Sequence, residues 1–224
     1  MDVEIRRLRM PLSAEDALSL RAGDMVLLDG EIVITAGLPT HHRLVEVSEG
    51  RREAPQDLHG GGLFHLGSYS RETSDGGFEV LYMNPTTSTR FNALMPGLIR
   101  RFSLRAVGGK GGLDAGCVEA MRETGCVYLS FVGGGAPLLS DAIREVVSVH
   151  WNDLVSHYRL VTLRVEGLGP VTVGIDAHGN SLYGDLGAAA AARLPAIMAE
   201  LTRARNAAQE VVQEVAQQSA GNPA

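Results

Sequence analysis

Two short polar loops carry the chemistry legible in this chain: Asn84-Pro85-Thr86-Thr87-Ser88-Thr89-Arg90 and, twenty positions after that arginine, Lys110-Gly111-Gly112. A guanidinium fork binds a carboxylate through two parallel hydrogen bonds, and hydroxyls beside it supply further donors. Glycines on either side of Lys110 let backbone N–H groups approach an anion, and a helix starting just beyond adds its positive end. Together the loops predict a site for an acidic small molecule. The competing readings are a polar turn, which hydroxyl residues favour by bonding their own backbone, and a lysine facing solvent. A P-loop is excluded, because the spacing Gly-x-x-x-x-Gly-Lys-[Ser/Thr] is absent.

Other candidates are weaker. His41, His42 and Arg43 form a basic cluster able to orient a ligand. Read as extended chain, adjacent histidines point to opposite faces, so one at most reaches a given ion and no metal is expected there. Asp176 and His178 read as turn stabilisers and Trp151 as core or interface. Cys117 and Cys126 are the two cysteines, too few for a disulfide framework or a complete metal site, and are expected to be packed, inert thiols.

Bulk properties narrow the class. A chain of 224 residues with 45% hydrophobic content can bury a sizeable core. Its formal net charge of -6 argues against nucleic acid or an anionic membrane as partner. No run approaches the roughly 18 apolar residues of a membrane span, and the charged stretch Met1 to Met10 is unlike a signal peptide. The expected compartment is the cytoplasm.

The elements that must position the loops follow from periodicity and turn residues. A strand is expected over Glu4 to Met10 and a short helix, capped by Ser13, over Ala14 to Leu20. Asp29-Gly30 predicts a hairpin between Met25–Leu28 and Glu31–Thr35. A helix is expected to begin at Leu44, and strands at Leu63 to Leu66 and Phe78 to Met83, the latter buried and delivering the threonine loop. Asn92 to Arg101 reads as a helix and Leu104 to Val107 as a strand leading to Lys110. Asp114 to Glu123 reads as a helix, Val127 to Val132 as a strand and Leu138 to Val146 as a helix. Strand, glycine loop, helix thus occurs twice in succession, which belongs to α/β architecture. Two further strands are expected at Leu160 to Val165 and Val171 to Ile175.

After Tyr183 the composition shifts to Ala, Glu, Gln and Arg, with Leu194, Ile197, Leu201, Ala204, Ala208, Val211 and Val215 in steps of three and four. That spacing predicts a helix with a narrow apolar seam, packing on the body or on another subunit, over Gly187 to Gln218. Ser219 to Ala224 is expected to fray.

These loops resemble motifs of the β region of the class I (iron-sulfur) fumarases and L-tartrate dehydratases. Asn84 to Arg90 is similar to Gly-Pro-Thr-Thr-Ser-x-Arg, and Val107 to Leu113 to Ile-Gly-Lys-Gly-Gly-Met. Leu20 to Asp24, Gly125 to Gly134, Trp151 to Leu154 and Ile175 to Leu182 match further family segments in the same order. The likeness covers residues 1–186, leaving 187–224 as a helical extension.

The resemblance implies an α/β swivelling β/β/α domain with a mixed sheet, plus that C-terminal helical extension. It also implies one half of a hydro-lyase that dehydrates a hydroxy di- or tricarboxylic acid such as malate or tartrate. A separate α subunit would carry a [4Fe-4S] cluster, with a β homodimer or an α2β2 assembly as the expected oligomer. Carried over by position, Thr86 is the base and Lys110 its catalytic partner. Thr87, Arg90, Gly111, Gly112, His41 and Arg43 bind substrate, and no residue here ligates metal. One departure stands out: the family's Ala-Arg-Asp-Ala-Ala-His-x-Arg appears as Ala36-Gly37-Leu38-Pro39-Thr40-His41-His42-Arg43. Losing that charged donor removes about 1.5–3 kcal/mol of carboxylate binding. The departure bears on which acid is bound. The alternative role is a non-catalytic partner that binds organic acids or regulates an α chain. A stand-alone hydrolase lacks any nucleophile elbow.

Overall fold

The computed structural model describes residues 5–220, with side chains described through residue 213. Glu4 and residues 221–224 of the expected frayed end lie outside that range. The chain divides into two compact units, 1–183 and 184–224.

The first unit is built on a seven-stranded mixed sheet of order β1-β2-β3-β6-β7-β9-β8. Its strands are β1 Ile5–Met10, β2 Met25–Ile34, β3 Gly62–Phe64, β6 Ala106–Gly109, β7 Val127–Ser130, β8 Ile143–His150 and β9 Leu160–Ile175. β2, β3, β6 and β7 run parallel in turn. β9 runs antiparallel to both β7 and β2, so β2-β3-β6-β7-β9 closes into a ring. Closure removes exposed edges at these strands, and alternation along each strand sorts side chains to two sides. Phe64, Ala106, Val127 and Leu129 join one apolar cluster, while Leu63, Val107 and Tyr128 join a second. The second cluster is covered by α3 Met95–Arg101 and α4 Ala115–Thr124, which contribute Met95, Leu98, Ile99, Cys117, Ala120 and Met121.

Local signals explain several boundaries. The Ser13 hydroxyl accepts from Asp16 N–H and starts α1 Ala14–Ser19. Asp114 does the same for Cys117 N–H at the head of α4, and Gly125, at φ +71°, ends that helix. The helix expected to begin at Leu44 instead starts at Leu38 with a proline in its first turn, giving α2 Leu38–Ser48.

Four further expectations are corrected. Asp29-Gly30 is not a hairpin: β2 runs straight through it, with register shifts against β9 on either side of Leu28. The helix expected over Leu138 to Val146 ends as α5 Ala136–Asp141, because Ile143 to His150 pair with β9. The two late strands are one, β9. Phe78 to Met83 belongs to a two-stranded antiparallel hairpin, β4 Leu66–Glu72 with β5 Phe78–Pro85, and of those six residues only Met83 is buried, the others being half-buried or exposed.

The second unit contains most of α6 Leu182–Ala220, which runs on through Ser219 and contains Pro195. Among the described residues no helix is long and apolar enough to cross a membrane.

Candidate functional site

The two motif loops are joined through their backbones. β5 ends at Pro85, Thr86 N–H donates to His65 O at 2.8 Å, and the chain then runs beside the end of β6. Lys110 N–H donates to Thr86 O at 3.0 Å and Ser88 N–H donates to Lys110 O at 2.9 Å, a short parallel bridge centred on Thr87 and Lys110. The structure therefore brings Thr86, Thr87 and Lys110 together, twenty-odd residues apart in sequence. Arg90 follows on the 3-10 turn Ser88–Phe91 and is exposed. Among the described residues neither Arg90 nor Lys110 has an ion-pair partner, whereas Arg7, Arg43, Arg100, Arg144 and Arg164 all do.

Glycine is required around Lys110 for stated reasons. Gly111 and Gly112 adopt φ of +82° and +76° in succession, which side-chain-bearing residues disfavour. A Cβ on Gly112 would also lie 2.5 Å from the Tyr183 ring. A third glycine loop, Gly133 to Gly135, completes the surroundings: a Cβ at Gly133 would sit 3.5 Å from Lys110 Cδ and 3.8 Å from Nζ. The lysine stem runs along that backbone. Lys110 is also the only lysine in the chain. Where every other strong base is arginine, a compact ammonium is retained at the one place where glycine backbones crowd it.

Beneath the loops lies a buried polar network. Ser88 Oγ is 2.8 Å from His65 Nδ1 and 2.9 Å from Tyr128 Oη, and all three side chains are fully buried. Burial pushes the Tyr128 phenol up and the His65 imidazole well below its usual range. Both are neutral at pH 7, so the network is a chain of neutral hydrogen bonds that fixes the turn. Removing its central hydroxyl would strand buried partners at about 1–3 kcal/mol.

His41 is also fully buried, stacked on Phe91 at 3.9 Å between ring centroids and donating from Nδ1–H to Gly37 O at 2.7 Å. Burial lowers its pKa to about 4. Because α2 is a helix and not extended chain, His41 and His42 diverge by helical geometry, His41 buried and His42 exposed. Arg43 makes a bidentate pair with Asp153 and lies over Trp151, 5.6 Å from the ring centroid. Of the residues proposed to bind substrate, His41 therefore sits in the packing and Arg43 is already paired, while Thr87, Arg90, Gly111 and Gly112 flank Thr86 and Lys110.

Gly37 has a plain steric reason. A Cβ there would lie 2.7 Å from Tyr158 Cβ, and Tyr158 O is held by the hydroxyls of Thr35 and Thr40. The segment at Tyr158 thus occupies the space next to position 37. Asp176 is a turn stabiliser as expected: it accepts from Ala22, His178 and Asn180 N–H. Burial opposes its ionisation, but these bonds and the Asn180 amide hold its carboxyl below the usual range.

Residues missed in the sequence are His65 and Tyr128, each a lone polar group inside an apolar run. That anomaly was the available signal. A cleft of about 710 Å³ elsewhere is lined by Arg144, Arg164, Glu31 and Glu166. There Arg144 pairs with Glu166 and Arg164 with Glu31.

The chain's own residues do not fit an iron-sulfur cluster. Both cysteines are buried, and burial raises both thiols, Cys117 to about 12. Among the described residues no group of three His, Cys, Asp or Glu is placed to hold a metal.

The family model described as Fumarase C-terminus matches residues 2–186. The L(+)-tartrate dehydratase subunit beta of Escherichia coli (strain K12) is 33% identical over 178 residues, 80% of this chain and 86% of that protein. A putative L(+)-tartrate dehydratase subunit beta of Methanocaldococcus jannaschii is 32% identical over 173 residues, covering 77% and 88%. A putative fumarate hydratase class I of Geobacillus stearothermophilus is 34% identical over 179 residues, covering 80% of this chain but 34% of the relative.

Proposed function

The chain belongs to the Fumarase C-terminus family, and from that premise we propose that it is the β subunit of an iron-sulfur-dependent hydro-lyase acting on a hydroxy di- or tricarboxylic acid. The observation that carries the reading is the backbone bridge between Thr86 and Lys110, with two cations, Lys110 and Arg90, that have no ion-pair partner among the described residues. Unpaired cations on a rigid frame are complementary to a carboxylate.

The chemistry assigned to this chain is proton abstraction. Thr86 takes the proton from the carbon next to a carboxylate, and the developing enolate-like charge is met by the Lys110 ammonium. A threonine hydroxyl is a poor base at neutral pH, and an adjacent ammonium favours its alkoxide. Arg90 holds a second carboxylate, and the Thr87 hydroxyl and the Gly111-Gly112 backbone supply further donors. His65, Ser88 and Tyr128 keep the threonine turn in register. Departure of the substrate hydroxyl, and the [4Fe-4S] cluster that would bind it, belong to a separate α subunit with which this chain forms an α2β2 assembly. The fumarate hydratase relative supports that division, since its matching segment is 34% of its length.

Gly37, backed by Tyr158, removes a cation that the family motif carries, which favours an acid other than fumarate or malate. The test is co-expression with an α-type chain without oxygen, followed by assays on tartrate, malate and citramalate. Turnover that disappears in Thr86→Ala and Lys110→Ala is the expected result. A stable complex inert towards every acid would instead assign the chain a binding or regulatory role.

A further inference from the structure

The family match ends at residue 186, and the helix beyond it carries an apolar face of its own. Along α6, Leu194, Ile197, Leu201 and Val211 are 55%, 45%, 59% and 59% exposed. With Ala204 and Ala208 they fall at successive a and d positions of a heptad, Leu194 being a. Pro195 falls at b, outside that seam, so the layers from Ile197 onward lie on helix C-terminal to it. A helix in water gains little from propensity alone and draws its stability from burying such a face. From Leu194 to Val211 the seam is about 26 Å long at 1.5 Å per residue.

We propose that this face pairs with the same face of a second copy of the chain, as a parallel, in-register two-stranded coiled coil. Charge selects the occupant. Glu200 falls at g and Arg205 at the following e, and among the described residues neither is in an ion pair. In a parallel pair each g faces the e of the next heptad on the partner, so Glu200 meets Arg205 of the other copy twice by symmetry. The antiparallel register that matches all six seam positions sets Leu194 opposite Val211. There g lies beside g and e beside e, so Glu200 falls nearest Ala207 and Arg205 nearest Met198 of the other copy, and neither charge gains an opposite partner. Alanines at the central d and a layers allow the helices close approach, and Met198 and Val212 at e widen the seam. This inference rests on α6 alone and stands whether or not the chain is a hydro-lyase subunit.

The full-length chain is weighed in solution by sedimentation or light scattering at micromolar concentration. Two copies are expected, falling to one in Leu201→Asp, with the circular dichroism of the body unchanged because Leu201 is outside its core. Glu200→Arg is expected to weaken the dimer on the order of tenfold, and adding Arg205→Glu to restore it. Ala208→Cys is expected to give a disulfide-linked dimer under mild oxidation, since like positions meet in a parallel pair. A monomer in the parent chain overturns the inference, as does a dimer indifferent to Leu201→Asp. An oxidised Ala208→Cys dimer that fails to cross-link overturns the parallel register.

Discussion

A Cβ built on Gly109 would stand 2.3 Å from Ser88 Oγ. The strand that presents Lys110 and the turn that presents Thr86 therefore touch with no room for a methyl group. The expected outcome of Gly109→Ala is a loss of about 1–3 kcal/mol, the usual cost of overpacking a tight contact, read as a lower urea midpoint. The control is Gly97→Ala in α3, where nothing lies within 4 Å of the new carbon. That change should be neutral or stabilising by up to about 1 kcal/mol. Equal effects at the two glycines would contradict the clamp.

Acid should destabilise the fold through its buried imidazoles. Burial lowers His41 to about 4 and His65 well below its ordinary range, so both are neutral when folded. In the unfolded chain each titrates near 6.5. The unfolded state thus binds more protons below that pH. The stability these groups contribute is complete above about 6.5 and is lost as pH falls towards 4, on the order of 3 kcal/mol for His41. Melting temperatures measured across that window should fall in the parent chain and fall less in His41→Phe. The phenylalanine keeps the stack on Phe91, and Gly37 O keeps its bond from the residue 41 amide. Identical slopes would refute the assignment to His41.

How much of this was legible beforehand depends on whether the signal was local. The two loops of Thr86 and Lys110 could be singled out by residue type alone, as hydroxyls and a guanidinium in one and a lysine among glycines in the other, and the structure joins their backbones. Gly30 misled because the same residue serves two purposes: here φ is +106° and a Cβ would lie 2.4 Å from Met10 O. It allows β1 to approach and makes no turn. The end of α5 had a readable signal in the β-branched Ile143, Val146, Val147 and Val149, which favour a strand. The network under the site left only the anomaly of a lone polar residue in an apolar run at His65 and Tyr128; its connections were not readable, because Ser88 meets partners 23 and 40 residues away and only the closed sheet brings them together.

Lys110 offers a probe of the proposed anion site in the isolated chain. As the only lysine, and partly exposed, it should be the sole side-chain amine modified by a small acylating reagent. Malonate or tartrate, bound by Lys110 and Arg90, should slow that modification several-fold, followed by mass spectrometry of the peptide. Labelling indifferent to every dicarboxylate would show that the two cations do not form a site before a partner docks.

The last prediction concerns position 37. Restoring the charged residue of the family motif with Gly37→Arg would drive a Cβ to 2.7 Å from Tyr158 Cβ and 2.8 Å from its Cα. The Tyr158 segment cannot yield cheaply, because its carbonyl binds Thr35 and Thr40 and the His157 carbonyl accepts Ala36 N–H at 3.0 Å. The substitution should therefore cost about 1–3 kcal/mol as an overpacked contact, and should not enlarge the range of acids turned over by the assembled enzyme. Gly37→Ala carries the same first clash without the charge, so both variants should melt lower by similar amounts. A Gly37→Arg chain as stable as the parent, or one that gains activity on malate, would mean that Tyr158 is free to move aside.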